Sequence, residues 1–258
     1  MRRALLVMGV VAWAPSAFAE DLATLRAELR DADASKAQEA ANKIAEDTSP
    51  QSLDVIIDEL SLGAPPKVQA ELLSGLAKRK DARAFDTLAH FATNRNTLLR
   101  KKAVVAIGEL TDMKSQPLLI AAMSDTVEEV RAAAAHALEA RKDHSPQVED
   151  ALVKLLSHKD GAAVDALGAL GGPGTARRLG ELIGNIPDGL LANTFSEMLH
   201  RTDFGPDPLR LEVVTAIGRL TGPESTSALK EYVESTKDDK KRPSRLEAQK
   251  IIELRGAQ

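Results

Sequence analysis

An internal repeat with a period of 31 residues constrains the fold of this chain more than any other feature. Three segments, residues 67–81, 99–112 and 130–143, each end in an aspartate, and these aspartates are spaced 31 residues apart. Within each segment the apolar residues recur three or four positions apart, which is typical of a helix with one buried face. The register continues in residues 161–170 and 211–220. Because one helical hairpin cannot bury its apolar face alone, the repeat predicts stacked hairpins.

The core-facing positions of the repeats are apolar or small in all five copies. They form three columns: Leu76, Ile107, Leu138, Leu167 and Ile217; Leu73, Val104, Ala135, Val164 and Val214; and Gly75, Ala106, Ala137, Ala166 and Ala216. No stretch alternates between apolar and polar residues with a period of two, so strands are not expected. The sequence therefore predicts an all-α fold, an α-solenoid.

Residues 125–138, DTVEEVRAAAAHAL, resemble the HEAT-like repeat, particularly the short form found in phycobilisome-lyase-type proteins. Partial matches lie at residues 94–110 and 209–220, and the resemblance covers roughly residues 35–236. It implies a HEAT-like or armadillo-type superhelix. Such repeats serve as general binding scaffolds, so the resemblance implies little about a specific activity.

The resemblance also implies a polar ladder between repeats, built from an aspartate before the second helix and an arginine at its start. The matching positions of this chain hold Arg100, Asp125, Arg131 and Arg210. Asn94 replaces one aspartate, and Gln69 and Asp160 stand where arginine is expected. We therefore expect an incomplete ladder.

Positions of the Ala-rich helices that are out of phase with the core are expected to share one surface. In HEAT-like repeats these helices line the concave side, so the expected partner-binding positions are Glu71, Ser74, Lys78, Lys102, Val105, Glu109, His136, Asp165, Glu212, Thr215 and Arg219. Their chemistry changes from repeat to repeat, which suits one irregular protein partner better than a uniform polymer and equally suits a solvated surface. Alanines in the middle, among them Ala133 and Ala140, leave room for a partner helix.

The repeat is interrupted after its fourth copy, because 50 residues separate Leu167 from Ile217. Residues 189–203 read as one long helix and residues 204–208 as a rigid turn. We expect an irregular repeat with a shortened partner helix. It either creates a bend and a local pocket or is a neutral deletion.

Residues 166–174, ALGALGGPG, look like a phosphate-binding loop because four of the nine residues are glycine. A phosphate loop needs a strand before it, whereas a helix is expected here. Aligned with the other repeats, the segment becomes a turn in which Gly168 faces a close neighbouring helix. We expect Gly171 and Gly172 to end the helix with positive φ and Pro173 to begin the next one.

The N-terminal 19 residues have the pattern of a secretory signal peptide. Arg2 and Arg3 precede an apolar run at residues 4–14, and Ala17-Phe18-Ala19 offers the small residues that signal peptidase requires. Cleavage after Ala19 predicts an exported protein, periplasmic or secreted; the alternative is a retained anchor helix. We then expect a solenoid with N-terminal capping helices over residues 20–236, and a linker with a C-terminal capping helix over residues 237–258.

Composition and motif content favour a non-catalytic protein. Removal of Arg2 and Arg3 with the leader changes the formal charge from −4 to −6, which gives no electrostatic reason to bind nucleic acid. The chain has no cysteine, and its five histidines lack the spacing of metal ligands. We expect a scaffold that binds a protein partner, without cofactor, metal or membrane insertion after cleavage. An enzyme-associated or ligand-handling protein, bilin-lyase-like or an inhibitor, is the alternative, and the oligomeric state is open.

Overall fold

A computed structural model describes residues 17–256, which form fifteen α-helices and no β-sheet. The chain divides after Arg79 into two compact units. The first unit contains α1 (Ala17–Glu28), α2 (Ala34–Glu46), α3 (Pro50–Leu62) and α4 (Pro66–Arg79). After a 3-10 turn at Ala82–Ala84, the second unit contains α5 (Phe85–Phe91), α6 (Thr97–Glu109), α7 (Ser115–Ala122), α8 (Glu128–Ala140), α9 (Pro146–Ser157), α10 (Ala163–Leu170), α11 (Pro173–Glu181), α12 (Asp188–His200), α13 (Asp207–Arg219), α14 (Pro223–Ser235) and α15 (Pro243–Gly256).

The predicted leader lies mostly outside the described residues. Helix α1 begins at Ala17, two residues before the expected cleavage position, and residues 1–16 carry the rest of the leader pattern. The C-terminal segment expected to cap the solenoid contains α15, which packs on α13 and α14.

Within the second unit the helices form two layers. In the first layer α6, α8, α10, α12 and α14 follow one another, each packed on the next. The helices α7, α9, α11, α13 and α15 form the second layer, where α7 and α9 meet at only a few residues. Because helices crowd together on the inner side of a curved stack and separate on its outer side, this spacing favours the first layer as the concave side of this unit over α6–α12.

The same steric contact recurs in four pairs of helices, which we number pair 1 (α2 and α4), pair 2 (α6 and α8), pair 3 (α10 and α12) and pair 4 (α13 and α15). In pairs 2 and 3 the first helix carries a glycine in its last turn. A Cβ added at Gly108 would lie 2.5 Å from the Cβ of Ala137, and one at Gly168 would lie 2.2 Å from the Cβ of Glu197. The close approach predicted at Gly168 is therefore present.

Pairs 1 and 4 place the same contact at matching positions. In pair 1 the small residue of the first helix is Ala45, which faces Gly75. In pair 4 a Cβ added at Gly218 would lie 2.8 Å from Cδ1 of Ile251. Small side chains at these positions thus allow the two helices of every pair to approach closely.

An arginine four residues after each contact joins the second helix of the pair to the end of the first. These arginines are Arg79, Arg141, Arg201 and Arg255. Each arginine donates to main-chain oxygens near or just after the C-terminal end of the first helix of its pair, where carbonyl groups lack partners within the helix. Arg201, for example, donates to the oxygen of Gly171 at 2.7 Å, and Arg255 to that of Leu220 at 2.7 Å.

The interruption in the repeat is the point where the paired-helix contact passes from the first layer to the second. Along the chain α5 separates pair 1 from pair 2 and α9 separates pair 2 from pair 3, whereas α13 follows α12 directly. From α6 to α15 the two layers alternate without a gap, because α12 continues the first layer and α13 the second. The partner helix of α10 in this irregular step is α11, which has nine residues, compared with twelve in α9. Two helices lie between the first helices of pairs 3 and 4, whereas three lie between those of pairs 2 and 3, so pair 4 lies in the second layer.

The glycine-rich turn differs in one respect from its expected backbone. Gly171 has φ −64° and Gly172 has φ −95°, both negative, so neither glycine ends α10 in the left-handed conformation. The aligned Gly222 has a positive φ of +90°, but its ψ is 166° and it precedes α14 instead of ending α13. Pro173 begins the next helix as predicted. At Gly171 an added Cβ would lie 2.6 Å from the main-chain oxygen of Leu167, which cannot move as a side chain could, so this position favours glycine.

Candidate partner-binding surface

Three of the expected surface residues belong to the first unit, on α4. Glu71 accepts a 3.3 Å hydrogen bond from Gln38 of α2, and Ser74 donates to the oxygen of Ala70 within its own helix. Lys78 is exposed in the last turn of α4.

Five further expected residues lie in the first layer, on the side of α6, α8 and α10 away from the core. They are Lys102, Val105, Glu109, His136 and Asp165. We call the surface formed by this side of α6, α8, α10 and α12 the first-layer face. It contains two openings, one between α6 and α8 and one between α8, α10 and α12, and His136 lines both.

The opening between α6 and α8 has a volume of about 550 Å³ and a floor of small residues. Its floor and walls include Val105, Gly108, Ala132, Ala133, Ala137 and Ala140. Val105 keeps 40% of its surface exposed there. At the rim Glu109 is engaged with Lys80 at 2.7 Å. Lys101 and Glu129, which are exposed and opposite in charge, complete the lining, so this part of the face presents a mainly apolar floor with charged residues at its edge.

The opening between α8, α10 and α12 has a volume of about 380 Å³ and is acidic. Glu139, Asp165 and Glu197 come from three successive helices of the layer. Nδ1 of His136 lies 3.3 Å from a carboxylate oxygen of Glu139. Arg201 also lines the opening, but its guanidinium is engaged by main-chain oxygens and by Asp203 at 3.0 Å.

The structure does not bring Glu212, Thr215 and Arg219 to the first-layer face. They lie on α13 in the second layer, where they line a cavity of about 320 Å³ shared with α11. Across this cavity Arg177 of α11 donates to Glu212 at 2.6 Å. The expectation of one common surface is wrong for these three residues, because α12 occupies the next position of the first layer and α13 lies in the second layer.

The place expected for α13 is taken by α12, so sequence reasoning missed Glu197 and Arg201. Helix α12 lacks the Ala-Ile-Gly motif by which the repeats were aligned. A different signal was available, because Arg141 follows Gly108 by 33 residues and Arg201 follows Gly168 by the same interval. Recognition of this spacing would have placed α12 beside α10.

The N-terminal ends of the first-layer helices carry the polar ladder. Arg100 donates to both carboxylate oxygens of Asp125, at 2.8 and 2.9 Å, and Arg131 donates to Asp160. These hydrogen bonds from Arg100 hold the pKa of Asp125 below its usual range. Asp160 is thus the acidic partner of the next rung rather than a break at an arginine position.

Arg210 is the exception among the ladder residues. It donates to the oxygens of Leu199, Arg201 and Gly205, all in or after the end of α12. Burial lowers the pKa of its guanidinium from the usual value. Arg210 therefore holds the direct connection between α12 and α13.

Two structural features of residues 17–256 bear on other functions. No group of three or more histidine, aspartate or glutamate side chains in this range is arranged to hold a metal ion. None of the helices in the same range is both long and apolar enough to span a bilayer.

Solved structures with the same fold include the YibA protein of Escherichia coli, with 14% identity over 91% of this chain and 82% of that one, and a TM-score of 0.53. The CpcE–CpcF complex of phycocyanin lyase from Nostoc sp. PCC7120 matches with 16% identity over 97% and 99% of the two chains, and a TM-score of 0.45. Human deoxyhypusine hydroxylase matches with 16% identity over 93% and 97%, and a TM-score of 0.41. At these identities the likeness concerns the fold alone.

Comparison with curated protein sequences gives no significant match. The family model of HEAT repeats matches residues 53–139 and 117–199. The two matches together span more than half of the 258 residues. The helical hairpins, the two layers and this match agree, and the chain belongs to the HEAT-repeat family.

Proposed function

We propose that this protein is a non-catalytic, exported HEAT-repeat scaffold that binds a protein partner through its first-layer face. The observation that carries the proposal is the pair of adjoining openings on that face, which His136 connects. A floor of alanine and glycine lets the backbone or small side chains of a partner helix approach closely, which is how amphipathic helices bind in grooves.

The arrangement of polar groups supports binding rather than catalysis. The arginines that reach this face or its edges are engaged structurally: Arg100 and Arg131 hold aspartates, and Arg201 holds main-chain oxygens. The remaining polar side chains change from helix to helix, from Lys102 on α6 to Asp165 on α10. Such variation gives a surface that discriminates among partners by shape and charge.

Site-specific photocrosslinking in the native host tests the binding site. A photoreactive amino acid at Ala133, on the alanine floor, is expected to capture one specific protein. The same residue at Ala121, exposed on α7 in the second layer, is the matched control and is expected to capture none. Excess untagged protein should compete with the capture. Equal capture from both positions, or no capture from Ala133, contradicts the proposal.

Export is tested separately, by the mass of the mature protein. The pattern of residues 1–19 supports cleavage after Ala19. We expect the protein recovered from the envelope or medium to begin at Glu20. A protein that retains Arg2 and Arg3 and stays in the cytoplasmic fraction would overturn the exported part of the proposal without affecting the fold.

A further inference from the structure

Equivalent positions of pairs 2 and 3 carry opposite chemistry on the first-layer face. Three residues before the contact glycine, pair 2 has Val105 and pair 3 has Asp165. Opposite that glycine, pair 2 has Ala137 and pair 3 has Glu197. The pairs therefore differ at both positions, which are apolar in pair 2 and acidic in pair 3.

The two acidic side chains of pair 3 lie close together. Glu197 packs its Cβ over Gly168, and Asp165 is one helical turn before Gly168 on the same face of α10. Both residues are exposed at one opening, and neither has an ion-pair or hydrogen-bond partner within residues 17–256. Arg201, the cation of that opening, is engaged by the oxygens of Gly168 and Gly171 and by Asp203.

The apolar and acidic parts of the face lie a defined distance apart. The first is centred between α6 and α8 and the second between α10 and α12, which is two helix-to-helix steps further along the layer. At roughly 8–10 Å per step the separation is about 16–20 Å. A helix laid across the layer covers this distance in about 11–13 residues, at about 1.5 Å per residue.

We infer that the partner segment is an amphipathic helix that carries a small apolar anchor and, about three turns away, two basic residues. The anchor packs on the alanine floor beside Val105, and the basic residues pair with Asp165 and Glu197. The inference rests on the proposed function of this face. Opposite charges across an interface fix the register and direction of binding, and the acidic end here gives the bound helix one direction.

Two synthetic peptides test the inference with the full chain. Both are helical and share one apolar anchor; one has two lysines at positions 12 and 16 after it, and the other has two glutamates there. By fluorescence anisotropy at physiological salt, we expect the lysine peptide to bind about tenfold more tightly. We expect Asp165→Asn with Glu197→Gln to abolish this preference. The control, Asp238→Asn with Glu253→Gln, removes the same charge from exposed residues elsewhere and should change the affinity less than about twofold.

The outcomes separate this inference from the proposed function. Equal binding of the two peptides, a lysine preference that survives in the Asp165 and Glu197 variant, or no binding of either peptide overturns the basic-helix inference. If crosslinking from Ala133 still captures a specific protein, the scaffold function stands without it. Loss of that capture contradicts the scaffold function itself. Circular dichroism of both variants shows that they retain the helical fold.

Discussion

Pairs 2 and 3 share one packing arrangement and present different surfaces. In both pairs a glycine on the first helix faces the second helix, and an arginine 33 residues after that glycine reaches back towards the end of the first helix. Around this contact pair 2 exposes Val105, whereas pair 3 exposes Asp165. The steric contact and the main-chain hydrogen bonds therefore hold the two helices of each pair together. Because the exposed positions take no part in these interactions, they can change without loss of the fold.

A second difference between the pairs is the way each continues along the chain. Pair 2 is followed by the connecting helix α9, so pair 3 stays in the first layer. Pair 3 is followed directly by pair 4, which occupies the second layer. The internal arrangement of a pair thus survives a change of layer, since Gly218 faces Ile251 in pair 4 as Gly168 faces Glu197 in pair 3.

Substitution of the contact glycine should have the largest effect on this shared arrangement. Gly168→Val places a Cβ where only 2.2 Å separates it from the Cβ of Glu197, so α10 and α12 must move apart. We expect a loss of about 3 kcal/mol in the free energy of unfolding, measured by urea denaturation with circular dichroism. The only tryptophan, Trp13, lies in the expected leader and is no probe of the mature protein.

Gly180→Ala is the matched control for that substitution. Gly180 is also buried in a helix, but the nearest atom to an added Cβ is 4.0 Å away. We expect its stability to stay level or to rise by up to about 1 kcal/mol, because alanine lowers the entropy of the unfolded chain. Equal destabilisation by both substitutions would show that helix contact is not what requires glycine at 168.

Removal of the capping arginine should have the next largest effect. Arg201→Ala leaves the oxygens of Gly168 and Gly171 without their charged donor, and we expect a loss of about 2 kcal/mol. Arg178→Ala, which removes only an exposed pair with Asp150, should cost less than about 0.5 kcal/mol. Both losses are measured by thermal unfolding. Similar losses in the two variants would show that Arg201 does not stabilise the helix pair through its main-chain hydrogen bonds.

The ladder should make stability depend on pH in the acidic range. Hydrogen bonds from Arg100 lower the pKa of Asp125 in the folded state, so the pair stabilises the fold fully above the unfolded pKa of about 3.9. This contribution is lost as the pH falls through the lower folded pKa. We expect Asp125→Asn to cost about 1.5 kcal/mol at pH 7. Between pH 6 and pH 3, its urea midpoint should fall less than that of the unchanged protein. A parallel fall of the two midpoints would contradict a lowered pKa at Asp125.

The fold was predictable because the same pattern of apolar residues, typical of a helical hairpin, occurs several times in the sequence. The 31-residue spacing and the apolar columns predict the α-solenoid, and the structure and the family match confirm it. The two columns of larger apolar residues are buried as their periodicity requires, with Ile107, Leu138 and Leu167 fully inaccessible to solvent. In the column of small residues Ala137 and Ala216 are half-exposed. Each repeat provides independent evidence for the same hairpin, so local ambiguity has little effect.

The binding surface was predictable only in part, because it depends on which layer a helix occupies. The residues of α6, α8 and α10 lie on adjoining helices of one layer, whereas α13 has the same Ala-Ile-Gly motif in the other layer. The motif reports the contact of Gly218 with the next helix in its pair, and pairs occur in both layers. The layer of a pair depends on how many helices precede it in the series. Helix α12 lacks the Ala-Ile-Gly motif, so the sequence alignment did not include it as a helix of the first layer.

Exchange of the surface residues between the two pairs should have the smallest effect on stability. Asp165→Val with Glu197→Ala gives pair 3 the residues of pair 2 at both exposed positions. Both side chains are solvent-exposed and unpaired within residues 17–256, and valine and aspartate have similar helix propensities. We therefore expect the free energy of unfolding to change by less than about 0.5 kcal/mol. Val164→Asp, one residue away on the buried side of α10, is the contrasting control and should cost several times more because it buries a charge without a partner. A loss of 2 kcal/mol or more in the surface exchange would show that Asp165 and Glu197 contribute to the packing of α10 and α12. The exposed residues of pair 3 would then not be free to change without loss of stability.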